Sequence, residues 1–303
     1  MSIRPDAHRL LPEEPDLDAL KADILARFPE HRDGAFSLLK DGWDCIAVDV
    51  DDAWIFKFPR RDAARISLLR EAQLLAALRT QLPIPVPELM IVEGPLTFSR
   101  HAKLKGRALL ADEYDMLPDG ARNRLAKDLA TFYAALHGIP MEVMRAAGAG
   151  PVWPWFNGDT ILSLALPHLP GHLHLWARTV IGAWRTLPPD PHGIIYGFFD
   201  GHGWNMAFDH HRQRLNGLYD FADSGFGPLH QDFIYSNFIS PDLTLRVIEA
   251  YEISTGLRIN RRRVWLLTAA HRLFELAEAD SDPAEIAKVL PHVLAWSEVP
   301  AWE

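Results

Sequence analysis

Cysteine is nearly missing from this chain of 303 residues: Cys45 stands alone. No intramolecular disulfide can staple the fold, and the chain reads as a reduced protein held by packing. Long apolar runs are missing too, which removes a membrane span. The opening MSIRPDAHRLLPEEPD lacks the apolar stretch of a signal peptide, so the expectation is a soluble, cytoplasmic chain with no membrane partner. Positive charge is in deficit, 31 Lys and Arg against 40 Asp and Glu for a formal net charge of −9. That balance argues against binding nucleic acid through phosphate neutralisation, with the RRR of Arg261 to Arg263 as a small local exception. Excess acid suits a cationic partner, and it equally suits plain solubility. Repeats and low-complexity segments are absent, while a hydrophobic content of 48% supplies a buried core for one large domain or two smaller ones.

What is present is periodicity. In CIAVDVDDAWIFKFPR, Ile46, Val48 and Val50 alternate, the chain turns at Asp51-Asp52, and Trp54, Phe56 and Phe58 alternate on the return; the pattern predicts an antiparallel hairpin. A helix follows, with Leu68, Leu75, Leu78 and Leu82 at helical spacing and PIPVP ending it after Leu82, since proline cannot continue a helix. PLTFSRHA is a further extended segment. Residues 1–101 therefore read as a small strand-rich N-terminal lobe with one inserted helix, and residues 102–303 as a mostly helical C-terminal lobe, an α+β architecture. In the second lobe Leu125, Leu129, Phe132 and Leu136 mark one helix, SPDLTLRVIEAYEISTG a second stopping at Gly256, and NRRRVWLLTAAHRLFELAEA a third. The Pro-, Gly- and Trp-rich stretch from Gly138 to Pro191 resists assignment. NMAFD and RLNGLYDF, split by the polar HHRQ, form a second hairpin.

An antiparallel pair sets the first residue of one strand beside the last of the other, so Asn205 at the entrance meets Asp220 at the exit. With Asp200 just upstream, two carboxylates and an amide oxygen gather at one end of a hairpin, a hard-oxygen set of the kind Mg²⁺ takes alongside phosphate and water. Each alone is an ordinary turn residue; the joint spacing separates them from that background. Glu71 is the second anomaly, because it falls on the apolar stripe of Leu68, Leu75 and Leu78. A carboxylate facing a core needs a cation, and Lys57 on the adjacent strand is the nearest. The competing reading is a strand-edge lysine in solvent and a glutamate at the rim of its stripe.

The order Lys57, Glu71, Asp200-x4-Asn205, Asp220-Phe221 resembles the kinase-like phosphotransferases, specifically the aminoglycoside phosphotransferase and choline kinase family. GWDCIAVDV, IFKFPR, IPVP, LKGRAL, ALHGIP and YDFADSGFGPLHQDF agree in order across about residues 40 to 235. DFADSGFGPLHQDF looks most like the 2''-type aminoglycoside enzymes, and macrolide phosphotransferases share much of the pattern. The resemblance implies a two-lobed protein-kinase-like fold with the nucleotide between the lobes, and transfer of the γ-phosphoryl group of ATP or GTP to a small-molecule hydroxyl. It makes Lys57 the lysine on the nucleotide phosphates and Glu71 its helix partner. Asp200 becomes the base at the acceptor hydroxyl, Asn205 and Asp220 the Mg²⁺ ligands, and Asp232 a buried brace of the loop. The departure is Phe198-Phe199 where the family has His-Gly before the aspartate, with GHGW as the spacer, which puts the alignment of the loop in question. A G-x-G-x-x-G cover ahead of Lys57 is also missing, Gly42 being the one glycine between Phe36 and Lys57.

For the acceptor, an aminoglycoside or similar amino-sugar is the first reading, with a macrolide, a choline-like metabolite, or a pseudokinase-like binding protein of little turnover as the alternatives. A cationic acceptor directs attention to Glu249, Glu252, Glu275, Glu278 and Asp280. Of these, Glu249 and Glu252 stand three apart on one helix face and are the expected substrate pair, against the plainer reading of a solvated acidic face. Trp153, Trp155, Trp176 and Trp184 offer rings for an acceptor pocket, although core packing accounts for most such residues. His168, His172 and His174 are interrupted by a Pro-Gly break that leaves no defined metal geometry.

Overall fold

A computed structural model describes residues 10–11, 16–39 and 44–303; Gly42 and most of the opening segment therefore lie outside the described residues. The N-terminal part is a five-stranded antiparallel sheet. Helix α1 (Leu17–Arg27) precedes β1 (Phe36–Leu39), β2 (Cys45–Val50), β3 (Trp54–Pro59), helix α2 (Asp62–Leu78), β4 (Met90–Val92) and β5 (Phe98–Ala102), and the strands lie in the order β1-β2-β3-β5-β4. The expected hairpin is there, with Ile46 opposite Phe58 and Val50 opposite Trp54. Asp51 and Asp52 close it at φ 58° and 51°, a conformation Asp tolerates because its short polar chain bonds locally; Oδ1 of Asp51 accepts the N–H of Ala35. Ile46, Val48, Phe56, Phe58 and Phe98 are buried together with Leu20 and Ile24 of α1, each contributing about 1.5–3 kcal/mol of apolar burial. That leaves Ala47, Lys57 and Ser99, which are register partners across β2, β3 and β5, on the opposite face.

Helix α2 contributes Leu74, Leu75 and Leu78 to the main core of the C-terminal part. It stops at Leu78, four residues before the predicted end. Pro83 pushes Leu82 out of the helical region, and residues 79–82 become a turn in which the N–H groups of Gln81 and Leu82 both reach Leu78 O.

The remainder is mainly helical: α3 (Ala111–Asp115), α4 (Asp119–His137), α5 (Met141–Ala146), α6 (Gly158–Ala165), α7 (His174–Arg185), then β6 (Ile194–Gly197), β7 (Met206–Asp209), β8 (Arg214–Leu218), β9 (Gly225–Pro228), α8 (Leu229–Asp232), α9 (Pro241–Thr255), α10 (Arg261–Glu278) and α11 (Pro283–Ser297). Leu125, Leu129, Phe132 and Leu136 of α4 are buried, facing a core shared with Leu243, Val247, Ile248 and Tyr251 of α9. Gly256 ends α9 at φ 74°, as a C-terminal glycine does without a Cβ penalty. The stretch that resisted assignment holds α5, α6 and α7, and the last two pack with α10 and α11 in a separate cluster around Ile161, Ile181, Leu273, Phe274 and Trp296. The second hairpin, β7 with β8, pairs Met206 with Leu218. Among the described residues no helix is long and apolar enough to cross a membrane.

Candidate active site

The β7–β8 hairpin decides the centre of the site. Tyr219 N–H donates to Asn205 O at 2.8 Å, so Asn205 and Asp220 stand at the same end of the ladder, as antiparallel pairing requires. Asn205 donates from Nδ2 to Asp200 Oδ2 at 2.7 Å and to Asp200 O at 3.0 Å, which leaves its Oδ1 for another partner. The second oxygen of Asp200 faces His202, Nε2 to Oδ1 at 2.9 Å. Asp220 takes φ 60°, and its side chain is 49% exposed.

From the sheet side, Lys57 Nζ lies 3.5 Å from Glu71 Oε2 and 4.0 Å from Asp220 Oδ1. Glu71 is buried and also accepts the N–H of Phe221 at Oε1, 3.1 Å. One residue earlier, Arg70 Nη2 donates to Ala222 O at 2.6 Å. Helix α2 thus grips the segment after Asp220 at two points, a role beyond the lysine partnership that Glu71's place on the stripe suggested. Burial alone would lower the Lys57 ammonium, but the Glu71 and Asp220 carboxylates hold it well above the ordinary lysine value. Burial raises Glu71, while Lys57 and the Phe221 N–H pull it back. On the same sheet face, burial pushes the Cys45 thiol up to about 12 despite Lys57, so it is no thiolate nucleophile. His101 falls to about 3 through burial and the Lys57 charge.

The loop before Asp200 is held in a way that answers the missing His-Gly. Asp232 is fully buried; its Oδ2 accepts Phe198 N–H at 2.9 Å and its Oδ1 accepts Phe199 N–H at 2.6 Å. His137 Nε2 lies 3.0 Å from the same Oδ2, and Nδ1 lies 3.0 Å from Tyr251 Oη. Phe198 is an apolar plug, its ring 4.6 Å from Phe221 and 5.8 Å from Phe132. Phe199 adopts φ 54°, a strained choice for a bulky residue, costing about 1–3 kcal/mol. Its ring lies over Gly197 and Gly227, where any Cβ would strike it, and the burial of that ring offsets the strain.

Residues 201–203 are pinned as well. A Cβ on Gly201 would collide with Tyr133 Oη, and one on Gly203 with Leu109 O; Gly203 O in turn accepts Leu109 N–H at 3.1 Å. Tyr133 Oη is buried without a hydrogen-bond partner. Burial lowers His202, yet the charge and hydrogen bond of Asp200, with Asp220 and Glu275 behind them, leave it raised. Tyr133, His137 and His202 were not singled out by the sequence reading. The glycines on either side of His202 were the available signal, since flanking glycines mark close backbone approach.

The acidic pair expected at the acceptor is not brought to this cluster. Glu252 is engaged elsewhere: it accepts Ile259 N–H and is held by both Arg261 nitrogens at 3.2 and 2.9 Å, closing the turn after α9. Glu249 is exposed on α9, in a recess it shares with Asn123, Arg246 and Arg261. Beyond Asp200 and Asp220, the further carboxylate whose field reaches His202 is Glu275 of α10, and it is shared with His271 and Arg272 at 3.5 and 3.1 Å. Trp153, Trp155 and Trp184 line a cavity of about 700 Å³ with Gln231 and Leu267, whereas Trp176 packs into the helical core. His168 pairs with Asp280 and His174 with Leu169 O. Among the described residues no cluster of three or more His, Cys, Asp or Glu is arranged for a metal.

Comparison with known proteins matches the fold and the family. Wild-type aminoglycoside 2'-phosphotransferase-IIIa in its GDP complex is 23% identical at a TM-score of 0.78, covering 93% of this chain and 98% of that one. The GDP and kanamycin complex of APH(2")-IIIa gives 22% identity and a TM-score of 0.74 over 92% and 98%. A macrolide 2'-phosphotransferase type I gives 16% and 0.67 over 91% and 97%. At such identities the likeness shows the fold, a two-lobed kinase-like one. The sequence model of the phosphotransferase enzyme family matches residues 35–267, a span holding Lys57, Glu71, Asp200, Asn205, Asp220 and Asp232, and the chain belongs to that family, whose members act on a hydroxyl group.

Proposed function

We propose that this small-molecule kinase transfers the γ-phosphoryl group of ATP or GTP, bound with Mg²⁺, to an acceptor hydroxyl held at Asp200. The observation that carries the reading is the convergence of Lys57 from β3, Glu71 from α2, Asp220 and Asn205 from one end of a hairpin, and Asp200 beside them. In it, residues 1–101 hold the nucleotide and residues 102–303 supply the loop and the acceptor site, in a cytoplasmic protein.

The residues fit a magnesium ion. Asn205 turns its Nδ2 to Asp200, so its Oδ1 is available, and Asp220 is half-exposed and aimed near Lys57; two hard protein oxygens completed by phosphate and water are what Mg²⁺ takes. When bound, the ion neutralises phosphate charge. Lys57, kept charged by its two carboxylates, adds a fixed cation for the phosphate oxygens. Glu71 holds Lys57 and the Phe221 backbone in one arrangement. Asp200 accepts a hydrogen bond from the acceptor hydroxyl, orients it and takes its proton, while Asp232 fixes the backbone ahead of it. Positioning and electrostatics supply the rate, as phosphoryl transfer requires.

For the acceptor, an aminoglycoside-like amino-sugar remains the first to test, supported by relatives whose complexes contain kanamycin. The carboxylate we assign to that side is Glu275 in place of Glu249 and Glu252; because Arg272 and His271 share it, its pull on an ammonium is reduced. A macrolide or choline-like hydroxyl is the second reading, favoured by the indole-lined cavity of Trp153, Trp155 and Trp184. A nucleotide-consumption screen with Mg²⁺, with ATP and GTP as donors and panels of aminoglycosides, macrolides and amino-alcohols as acceptors, tests both. Consumption dependent on one class names it, and nucleotide binding without turnover on any class favours a pseudokinase-like protein.

A further inference from the structure

The two residues ahead of Asp200 have no side-chain donor: Phe198 and Phe199 carry apolar rings, and Asp232 fixes them through their main-chain N–H groups. Whatever orients the Asp200 carboxylate comes from downstream. Asn205 takes Oδ2 at 2.7 Å, and His202 Nε2 stands 2.9 Å from Oδ1. Two donors on opposite oxygens fix the plane of a carboxylate, which neither does alone, and leave lone pairs open for an incoming hydroxyl.

The aim of the imidazole is built into the loop. Gly201 lies against Tyr133 and Gly203 against Leu109 O, so the backbone on both sides of His202 occupies space that a side chain would need. His202 N–H donates to Asp200 O at 2.9 Å, folding the loop back on itself. The ring is then wedged between Trp204, 5.1 Å away and nearly perpendicular, and Phe238 at 6.0 Å. Its Nδ1 is buried with no hydrogen-bond partner, so Asp200 is the polar group its side chain is built to meet. A buried nitrogen left unpaired is destabilising, and such a cost at a loop tip marks a site arranged for a task above stability.

We infer that His202 is a positioning residue of the transfer reaction, holding one oxygen of Asp200 so that the other side of the carboxylate meets the acceptor hydroxyl. The inference rests on the kinase reading above. It acts through Asp200 alone: nucleotide binding, which falls to Lys57, Asn205 and Asp220, does not involve it.

The test uses the full chain with Mg²⁺, ATP or GTP, and the acceptor found by the screen, or water as acceptor where hydrolysis is the measurable turnover. His202→Phe keeps a ring of similar bulk and removes the donor; kcat should fall by ~10- to 10²-fold, the scale of a misaligned reacting group, with nucleotide Kd and the KM for nucleotide unchanged. His202→Gln, whose amide N–H can reach Oδ1, should recover part of the loss. In an Asp200→Asn background, His202→Phe should cost nothing further, because residues acting as a unit are not additive. Unchanged kcat in His202→Phe, a drop of equal size in the Asp200→Asn background, or no recovery in His202→Gln would each overturn the inference. A ¹⁵N imidazole spectrum separates this failure from failure of the kinase reading: the His202 resonances should shift in Asp200→Asn even in a protein that turns over no acceptor, and an unmoved signal would remove the contact itself. Wild-type protein inert toward every acceptor and toward water, with that shift intact, would sink the kinase reading and the catalytic meaning of the contact together.

Discussion

Replacing Asp232 by alanine removes one carboxylate from a site with no solvent access. Three donors lose their acceptor at once: the N–H groups of Phe198 and Phe199, at 2.9 and 2.6 Å, and Nε2 of His137 at 3.0 Å. The assignment of His137 follows from Asp232 itself, since a carboxylate only accepts and Nε2 must therefore carry the N–H that points at it. Each orphaned buried donor costs about 1–3 kcal/mol, and partial relaxation recovers some of the sum, so the expected loss is about 3–5 kcal/mol. A further consequence is local. Phe199 sits at φ 54°, a conformation that persists only while its surroundings enforce it; without Asp232 the residue can relax and carry Asp200 with it. Equilibrium urea unfolding read by tryptophan fluorescence measures the first effect as a lowered midpoint at constant m-value. Single-turnover transfer measures the second, expected to fall more steeply than nucleotide affinity. Tyr251→Phe is the mild companion, expected to cost about 1 kcal/mol. A midpoint for Asp232→Ala that corresponds to less than about 1 kcal/mol would refute the argument that this carboxylate carries the loop.

Other outcomes follow from the same geometry. Asp200→Asn should leave nucleotide affinity near wild type and lower transfer by ~10² or more, measured by coupled nucleotide consumption; full turnover would remove Asp200 from its assigned role. Asp220→Ala should abolish the Mg²⁺-dependent part of nucleotide binding in calorimetry, and equal affinity with and without the ion in both proteins would count against the metal assignment. Lys57→Ala and Glu71→Ala should cost less together than the sum of their separate effects on transfer, while strict additivity would contradict the contact at 3.5 Å. His101, lowered to about 3 by burial and by Lys57, is neutral in the folded protein and takes up a proton on unfolding below its ordinary value near 6.5. Its contribution to stability is therefore complete above pH ~6.5 and lost as pH falls from there toward about 3, at up to ~1.4 kcal/mol per pH unit; His101→Leu should flatten that slope, and an unchanged acid limb would show that His101 is not buried neutral.

Periodicity alone determined much of this protein. The alternation of Ile46, Val48 and Val50 with Phe56 and Phe58 could be satisfied only by a hairpin with one apolar face, and that face is the one buried under α1. Leu125, Leu129, Phe132 and Leu136 likewise define a helix whose stripe is all core. The spacing of Asn205 and Asp220 around a two-strand pattern was enough to bring them together, because hairpin pairing is local and fixed by the turn. A lone carboxylate on an apolar stripe pointed to Lys57 as the nearest cation for Glu71, because burial demands a partner, and the contact at 3.5 Å decided it over a solvated pair.

Tertiary structure decided whatever depended on distant segments. That Glu71 also holds Phe221, 150 residues away, leaves no trace in local pattern. Asp232 as a brace came from the family resemblance, but that it grips the loop through the N–H groups of Phe198 and Phe199, 34 and 33 residues away, leaves no local trace either. Which acidic residues approach the site was beyond local pattern for the same reason. Helical spacing shows which side chains share a face, but the packing of α9 and α10 fixed which face each presents: Glu252 was drawn to Arg261, and Glu275 came to lie behind Asp200 and Asp220 among the carboxylates acting on His202. Side-chain periods are set by backbone geometry within one element, whereas the partners of a polar group are set by which elements meet.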